Sequence, residues 1–425
     1  MFEQTKQLVP LERNDVASIL CTMNELRKLL TDKLSPARQS ALKHTTINEK
    51  SPGPLLSDIN TLIDAIGSGM QTTSAYFALP QRVLGELNDL LVDPLPHDLK
   101  RPQLRSFPAL MGLFMLLRSA GLAVGETKPK RRILIDPAMN EQWQALNPTE
   151  QYFTLMVLWL HETSWDSVGQ GSRWGVGMLS DVRTAYLQLC DRITSLDNSH
   201  FGMLYGIEAS VAVSLLHQFG WIRLTYDTVP EPGKAASIRE IERTDFGDAM
   251  FVATCQFGSD DDESIMALQA TLQNYFPDWK ETLVQSEAEY RGGQHTFKVS
   301  LGKIWRRIVA SPDTNCEQLA DTILDAYKFN HEHLYQFELR DSAGNTIKIG
   351  GPHLDEADYF AEEMRVGDVP LLIGDSMIFH YDFGDDWRFK VTLESVDATN
   401  TKKTKSLDVT ATSGMAPKQY DREDW

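Results

Sequence analysis

The residues of this chain best suited to chemistry lie in IFHYDFGDDWRFKVTLE, Ile378–Glu394, where His380, Asp382, Asp385 and Asp386 surround Gly384. Three carboxylates and an imidazole at that spacing could ligate Mg²⁺ or Mn²⁺, hard cations that favour oxygen donors, and so support a metal-dependent hydrolase or nuclease. The same residues also make a sound hairpin. Met377, Phe379, Tyr381 and Phe383 fall on one face of an alternating strand, and Ile378, His380 and Asp382 on the other. Phe389, Val391 and Leu393 continue the apolar face beyond the turn. Gly384 gives the connection its backbone freedom, and aspartates in such a loop accept hydrogen bonds from neighbouring amides. On this second reading Arg306 and Arg307, on an adjacent strand, neutralise the carboxylates in ion pairs.

Other candidates are incomplete. His331 and His333 could point the same way from an extended segment, with His353, Asp355 or Glu356 as a further metal ligand; a histidine packed at a helix end explains the pair more simply. His161-Glu162 begins like a zinc-protease helix, but Trp165 stands where the second imidazole belongs. The glycines at 169, 171, 175 and 177 miss the dinucleotide-binding spacing and follow a helical stretch rather than a strand. Neither a phosphate-cradling GxxxxGK[ST] loop nor a GxSxG elbow occurs. The first expectation is therefore a non-enzymatic module without a cofactor.

The elements that must position these residues belong to a chain of 425 residues, long enough for two to four cores. Its net charge of -18 argues against a protein that coats nucleic acid or anionic membrane with its whole surface. The longest apolar runs, 109–117 and 153–160, are too short to span a bilayer, and the N-terminus lacks the pattern of a signal peptide. Cys21, Cys190, Cys255 and Cys316 stand far apart, which fits a reducing cytoplasm better than a disulfide framework or a zinc site.

Along the chain, residues 1–100 read as a helical N-terminal region broken at Ser51-Pro52-Gly53-Pro54. Residues 101–200 hold an apolar helix at 107–120, ended by Gly121, and a hairpin of two short strands at 122–124 and 133–136. The hairpin tip carries Lys128, Lys130, Arg131 and Arg132. Between Lys100 and Asp136 eight Lys/Arg face two acids, so this stretch is basic within an acidic chain. A helix followed by such a hairpin resembles the last helix and wing of a winged-helix domain. The basic tip is then either a solvated turn or a phosphate-contacting wing. Residues 201–290 suggest a second unit of the same kind: a helix at 203–219 closed by Gly220, strands at 221–226 and 238–243, and a helix capped by Thr244 or Asp245. An acidic loop, GSDDDE at 258–263, and a helix over 264–276 lead to the last domain.

Residues 295–425 read as strands at 297–301 and 304–310, a helix with Thr314 and Glu317 at capping-box spacing, and a buried stripe of Leu319, Ile323 and Tyr327. Strands at 334–339 and 346–349 precede the acidic hairpin. The segments IWRRI (304–308), HLYQFEL (333–339), YDFGDDWRFKVTLE (381–394) and GMAPKQY (414–420) occur in that order. Together they resemble the plasmid pRiA4b ORF-3-like family, found in bacteria and on mobile elements. The motif positions are Trp305, Arg306, Arg307, His333, Phe337, Tyr381, Asp382, Gly384, Asp385, Asp386 and Trp387. Two departures are Phe329-Asn330-His331-Glu332, where relatives often carry a tryptophan, and the charged insert 356–368. The resemblance implies an α+β domain with an antiparallel sheet and brings no catalytic residues with it.

The whole is expected to be α+β: a mostly helical N-terminal part with winged-helix-like units, then a mixed domain. Its expected partners are duplex DNA through the local basic patch, or a protein, with no membrane. A third expectation is a structural subunit of a defence-associated or plasmid-encoded complex.

Overall fold

A computed structural model describes residues 34–74, 76–127, 129–169, 182–183, 185–186, 193–195, 207–255, 262–284, 290–354, 357–398 and 407–420. The fold is α+β, with two separate buried clusters, one drawn from residues 42–279 and one from 297–393.

The first cluster is built around two similar helix–hairpin units. After helices α1 (Pro36–His44) and α2 (Leu55–Ile66), a short strand β1 (Met70–Gln71) precedes α3 (Leu84–Asp89) and α4 (Pro108–Ser119). Strands β2 (Ala123–Glu126) and β3 (Arg132–Ile135) form the hairpin, and the sheet order is β1-β3-β2. Helices α5 (Pro137–Ala145) and α6 (Pro148–Val157) lead to the second unit. There β4 (Ile193–Ser195), α7 (Ile207–Gln218), β5 (Ile222–Tyr226) and β6 (Ile238–Arg243) repeat the connectivity, in the order β4-β6-β5. Both long helices stop in the same way. Gly121 and Gly220 take φ of 67° and 72°, and the amides of Leu122 and Trp221 donate back to the carbonyls of Leu117 and Leu216.

The two units do not form separate cores. Helix α4 is apolar on all sides, with every residue from Leu110 to Ser119 buried, and it packs directly on α7. Gly112 makes the approach close: a Cβ there would lie 2.7 Å from Leu215 Cγ. Helices α8 (Asp245–Cys255) and α9 (Asp262–Gln273) close this half. Thr244 caps α8 through a 2.8 Å bond accepted from the Gly247 amide.

The second cluster lies under an eight-stranded sheet, order β11-β10-β9-β12-β13-β7-β8-β14, antiparallel except for β10–β11. Its strands are β7 (Gln294–Leu301), β8 (Ile304–Ala310), β9 (Tyr335–Arg340), β10 (Thr346–Gly350), β11 (Tyr359–Phe360), β12 (Ser376–Tyr381), β13 (Trp387–Asp397) and β14 (Leu407–Ser413). One helix, α10 (Cys316–Tyr327), contributes Leu319, Ile323 and Tyr327 to this cluster, as their spacing predicts. The capping box falls one residue later than the sequence suggests. Asn315 accepts from the Gln318 amide at 2.9 Å, and Gln318 Oε1 accepts from the Asn315 amide. Thr314 is buried instead.

The halves meet at the first hairpin. The Gly125 amide donates to Ser342 O (2.8 Å), Thr127 Oγ1 to Ile373 O (2.8 Å), and Arg340 Nη1 to Asp166 O (2.8 Å). Arg118 is wholly buried at this seam and donates to Tyr76 O; desolvation pulls its pKa down to about 10. Gly344, at φ 85°, leaves room for that guanidinium.

Asp58 ties the two units together. It is fully buried, with Oδ1 accepting from the Val92 amide (2.8 Å) and Oδ2 from Gln218 Nε2 (2.9 Å). Burial raises its pKa to about 6 from 3.8, and neutral hydrogen bonds only partly offset this. A carboxyl whose folded pKa is raised stabilises the fold fully below the unfolded value and loses that contribution as pH climbs through 6. The Asp58→Asn variant, which keeps both bonds if Gln218 turns its amide, should therefore gain on the wild type by on the order of 2–3 kcal/mol between pH 4 and pH 8. Urea unfolding across that range measures it, and a gap that does not change with pH refutes it.

Candidate functional site

The YDFGDDW turn starts where β12 leaves the sheet. Asp382 takes φ 53° and Asp386 φ 55°, left-handed conformations that Asp tolerates better than most side chains. The loop closes through Asp386 N to Asp382 O (2.7 Å), and the Asp382 amide donates to Leu334 O (3.0 Å). Asp382 Oδ1 accepts from the amides of Gly384 (3.1 Å) and Asp385 (3.3 Å). One carboxylate oxygen is thus consumed by the turn itself.

The other oxygen faces a polar network. Asp382 Oδ2 accepts from the Tyr420 hydroxyl at 3.2 Å and lies 3.6 Å from His333 Nε2; that nitrogen is 2.8 Å from the same hydroxyl. Burial of the hydroxyl and its bond to Asp382 push the Tyr420 phenol up. Gln419 sits beside it, accepting from the Asn330 amide (2.7 Å) and donating to Asn330 Oδ1 (2.8 Å). The buried Tyr381 hydroxyl donates to the Asn330 carbonyl, 2.6 Å away. The network therefore joins the end of α10, the start of β9, the turn and the C-terminal segment. Its members from the tail and from Asn330 were not picked out as site residues by type or spacing; the tail motif was the available signal.

His380 belongs elsewhere. Its Nε2 lies 2.8 Å from Asp386 Oδ1, which also accepts from Arg388 Nε at 2.7 Å. Partial burial, then Arg388, lowers the pKa of His380, and Arg388 lowers that of Asp386. The four residues of the acidic stretch thus divide between an Asp382–Tyr420–His333 network and an Asp386–Arg388–His380 cluster, with Asp385 contributing only its amide to these contacts. Among the described residues, no three His, Cys, Asp or Glu side chains are arranged to hold a metal ion. The phenylalanine of the turn also departs from its expected face: Phe383 is 40% exposed and packs edge-on against His380 (4.6 Å), because the left-handed Asp382 breaks the strand alternation.

The expected pairing of Arg306 and Arg307 with these aspartates is replaced by other contacts. Arg307 forms a two-pronged pair with Glu394 (2.6 and 3.1 Å) and stacks on Trp305. Arg306, only 5% exposed, donates to the carbonyls of Ala326 (2.9 Å), Trp305 (2.9 Å), Ser413 (3.2 Å) and Gly414 (3.2 Å) and lies over Tyr327. Register explains the swap: β8 lies three strands from β12 in the sheet, across β7 and β13.

His331 and His333 also part. His331 bridges Asp321 (2.9 Å) and Asp325 (3.1 Å) on α10, while His333 joins Tyr420. His353 is exposed; Asp355 and Glu356 lie outside the described residues, as do Lys128 and the glycines at 171, 175 and 177. Phe337 is fully buried in the core. Trp387 packs edge-on against Phe329 (4.9 Å). On the first hairpin, Arg131 stacks over Phe77 (4.5 Å) and pairs with Asp375 (3.4 Å), Arg132 pairs with Glu126 (2.5 Å), and Lys130 is exposed.

Three of the four segments of the family resemblance meet at this network, and residues 296–419 match the family model described as plasmid pRiA4b ORF-3-like protein. The C-terminal region is a pRiA4b ORF-3-like domain. A solved structure, a Methanosarcina mazei Go1 protein of unknown function, is 24% identical over 30% of this chain and 72% of its own, at a TM-score of 0.26. No curated protein matches. In the pRiA4b ORF-3-like domain, His333, Tyr381, Asp382 and the tail residues of the signature form one contact set.

Asp382→Ala should cost about 2–3 kcal/mol, because it strands the turn amides and the Tyr420 hydroxyl together. Asp382→Asn, which keeps the turn acceptor and suits the left-handed backbone, should cost less than half as much. Chemical unfolding of both variants tests this, and equal losses would rule out the turn-capping role.

Proposed function

We propose that this is a non-enzymatic binding module of plasmid-associated type, acting on a protein partner in the cytoplasm. Its helix–hairpin units, winged-helix-like in strand order, serve as a scaffold. The observation that carries this reading is the burial of α4: the helix that would enter a DNA groove is enclosed by α7 and the rest of the first core. The hairpin supports the same reading, since Arg131 and Arg132 are spent on Asp375, Glu126 and Phe77, at a seam with the C-terminal half. An overall charge of -18 further disfavours phosphate contact. The scattered cysteines, of which Cys255 and Cys316 are free thiols, support the cytoplasm, and no helix among the described residues is long and apolar enough to cross a membrane.

The catalytic alternative has less support, because Asp382 has both oxygens occupied and Asp386 is shared by Arg388 and His380. A protein partner also accommodates a role as subunit of a larger complex.

Fluorescence anisotropy with labelled duplex DNA at about 20 mM salt, where phosphate contacts are strongest, should show no saturable binding. Pull-down from the native host with nuclease treatment should retain a protein. Salt-sensitive micromolar DNA binding, reduced by Lys130→Ala, would overturn the scaffold reading.

A further inference from the structure

The seam between the halves is held differently from either core. The two buried clusters share no residue, and Leu372 is the one hydrophobic residue of the second half, among those described, that packs on the first cluster. What crosses the seam is mostly polar: Gly125 N to Ser342 O, Thr127 Oγ1 to Ile373 O, Arg340 Nη1 to Asp166 O, and the Arg131–Asp375 pair. Arg340 also lies over the Tyr76 ring, 4.2 Å from its centroid. Polar interfaces without a shared apolar core let the parts they join move against each other.

One group works against closure. Arg118 is 0% exposed, and its Nη2 donates to the Tyr76 carbonyl at 3.3 Å. Its Nε and Nη1 are buried without a hydrogen-bond partner, and among the described residues no carboxylate pairs with this side chain. The acid of the facing turn is committed within that turn: Asp341 accepts from Asn345 N (2.8 Å) and Asn345 Nδ2 (3.1 Å). Gly344 of the second half packs against the guanidinium so closely that a Cβ there would collide with Arg118 Nη2. The Gly344 carbonyl in turn accepts from Arg340 Nη1 at 2.9 Å, so two guanidiniums flank one glycine. Closure thus takes the Nη2 side of Arg118 out of water and sets a second positive charge beside it. A buried cation without a counter-charge is costly.

We propose that the two halves part along this seam while each core stays folded, and that the buried Arg118 weakens the closed state. On opening, the unsatisfied donors of Arg118 regain water, which offsets part of what the crossing bonds contribute when the seam is shut. Opening has a structural consequence as well. Strand β2 lies at the edge of its three-stranded sheet, and its Gly125 amide bonds across the seam to Ser342. Parting the halves uncovers that edge, which another extended segment can then pair with, and closure hides it. The seam is therefore a conformational device that controls access to the first hairpin, whatever the nature of the partner.

Amide hydrogen exchange of the whole chain, resolved by residue with NMR, tests this. The amides of Leu122 and Phe329 donate within the first and second halves, to Leu117 O and Leu324 O, so they report the two cores, and Gly125 reports the seam. In the wild type Gly125 should exchange at least about a hundredfold faster than Leu122 and Phe329, because opening leaves both cores folded. Arg118→Met keeps an unbranched side chain and drops the charge; it should slow Gly125 about tenfold with Leu122 no faster. Asp375→Asn weakens the pair with Arg131 and should speed Gly125 about threefold, with both core amides unchanged. Gly125 exchanging as slowly as the core amides in the wild type would refute separation of the halves. Fraying of the β2 edge by itself predicts a Gly125 rate that neither variant changes, and that result would also overturn the proposal. Faster exchange of Gly125 or of Leu122 in Arg118→Met would make Arg118 a support of the fold and refute its role at the seam.

Discussion

The C-terminal domain depends on a charge that has been taken out of water. Arg306 is nearly buried and has no carboxylate partner among its hydrogen bonds; it is satisfied by backbone carbonyls from the end of α10, from its own strand, and from Ser413 and Gly414. A guanidinium offers five N–H donors in a rigid plane, so it can collect carbonyls from several directions where a lysine could not. One of those carbonyls, that of Ala326, sits at the C-terminal end of a helix, where partial negative charge accumulates. The consequence is geometric. By holding Gly414, Arg306 delivers the chain that follows to Asn330, His333 and Asp382, and the polar network around Tyr420 forms at the opposite end of the same segment.

The N-terminal half is governed by apolar contact instead. Two units with the same strand order face each other through α4 and α7, and Gly112 lets the helices approach closely enough for Leu215 to fill the gap. A helix apolar all round has to be enclosed. Enclosing α4 makes it part of the first core, and turning the hairpin towards Ser342, Ile373 and Asp375 commits its edge to the second half. Of the basic stretch visible in the sequence, Arg131 and Arg132 meet Asp375 and Glu126 and Arg118 is buried at the seam, while Lys100, Arg101, Arg105 and Lys130 are exposed.

What could be read from the sequence follows from how local each feature is. Helix ends at Gly121 and Gly220, the buried stripe of α10 and the alternation of β12 are set by residues a few positions apart, and they stand where the spacing places them. The partners of Arg306 and Arg307 were not readable, because they depend on which strands intervene. Adjacency in sequence also misled for His380 and Asp382: two residues apart, they part company because one left-handed residue turns the chain. Asn330, Gln419 and Tyr420 carry much of the network through amide and hydroxyl groups, types that composition and spacing rarely mark as functional. Only Gln419 and Tyr420 were pointed to, by the tail motif; Asn330 stands where the chain departs from the family pattern.

A family signature need not be an active site. Each oxygen of Asp382 already has a role, one in the turn and one with Tyr420. A carboxylate offers about four acceptor sites, and the bonds from Gly384, Asp385 and Tyr420 take three of those on Asp382. The signature is explained by closure: it folds a turn, receives a tail and seals the end of a sheet. Of the acids in the signature, Asp385 gives the turn only its amide, and its exposed carboxylate is the one that closure leaves over.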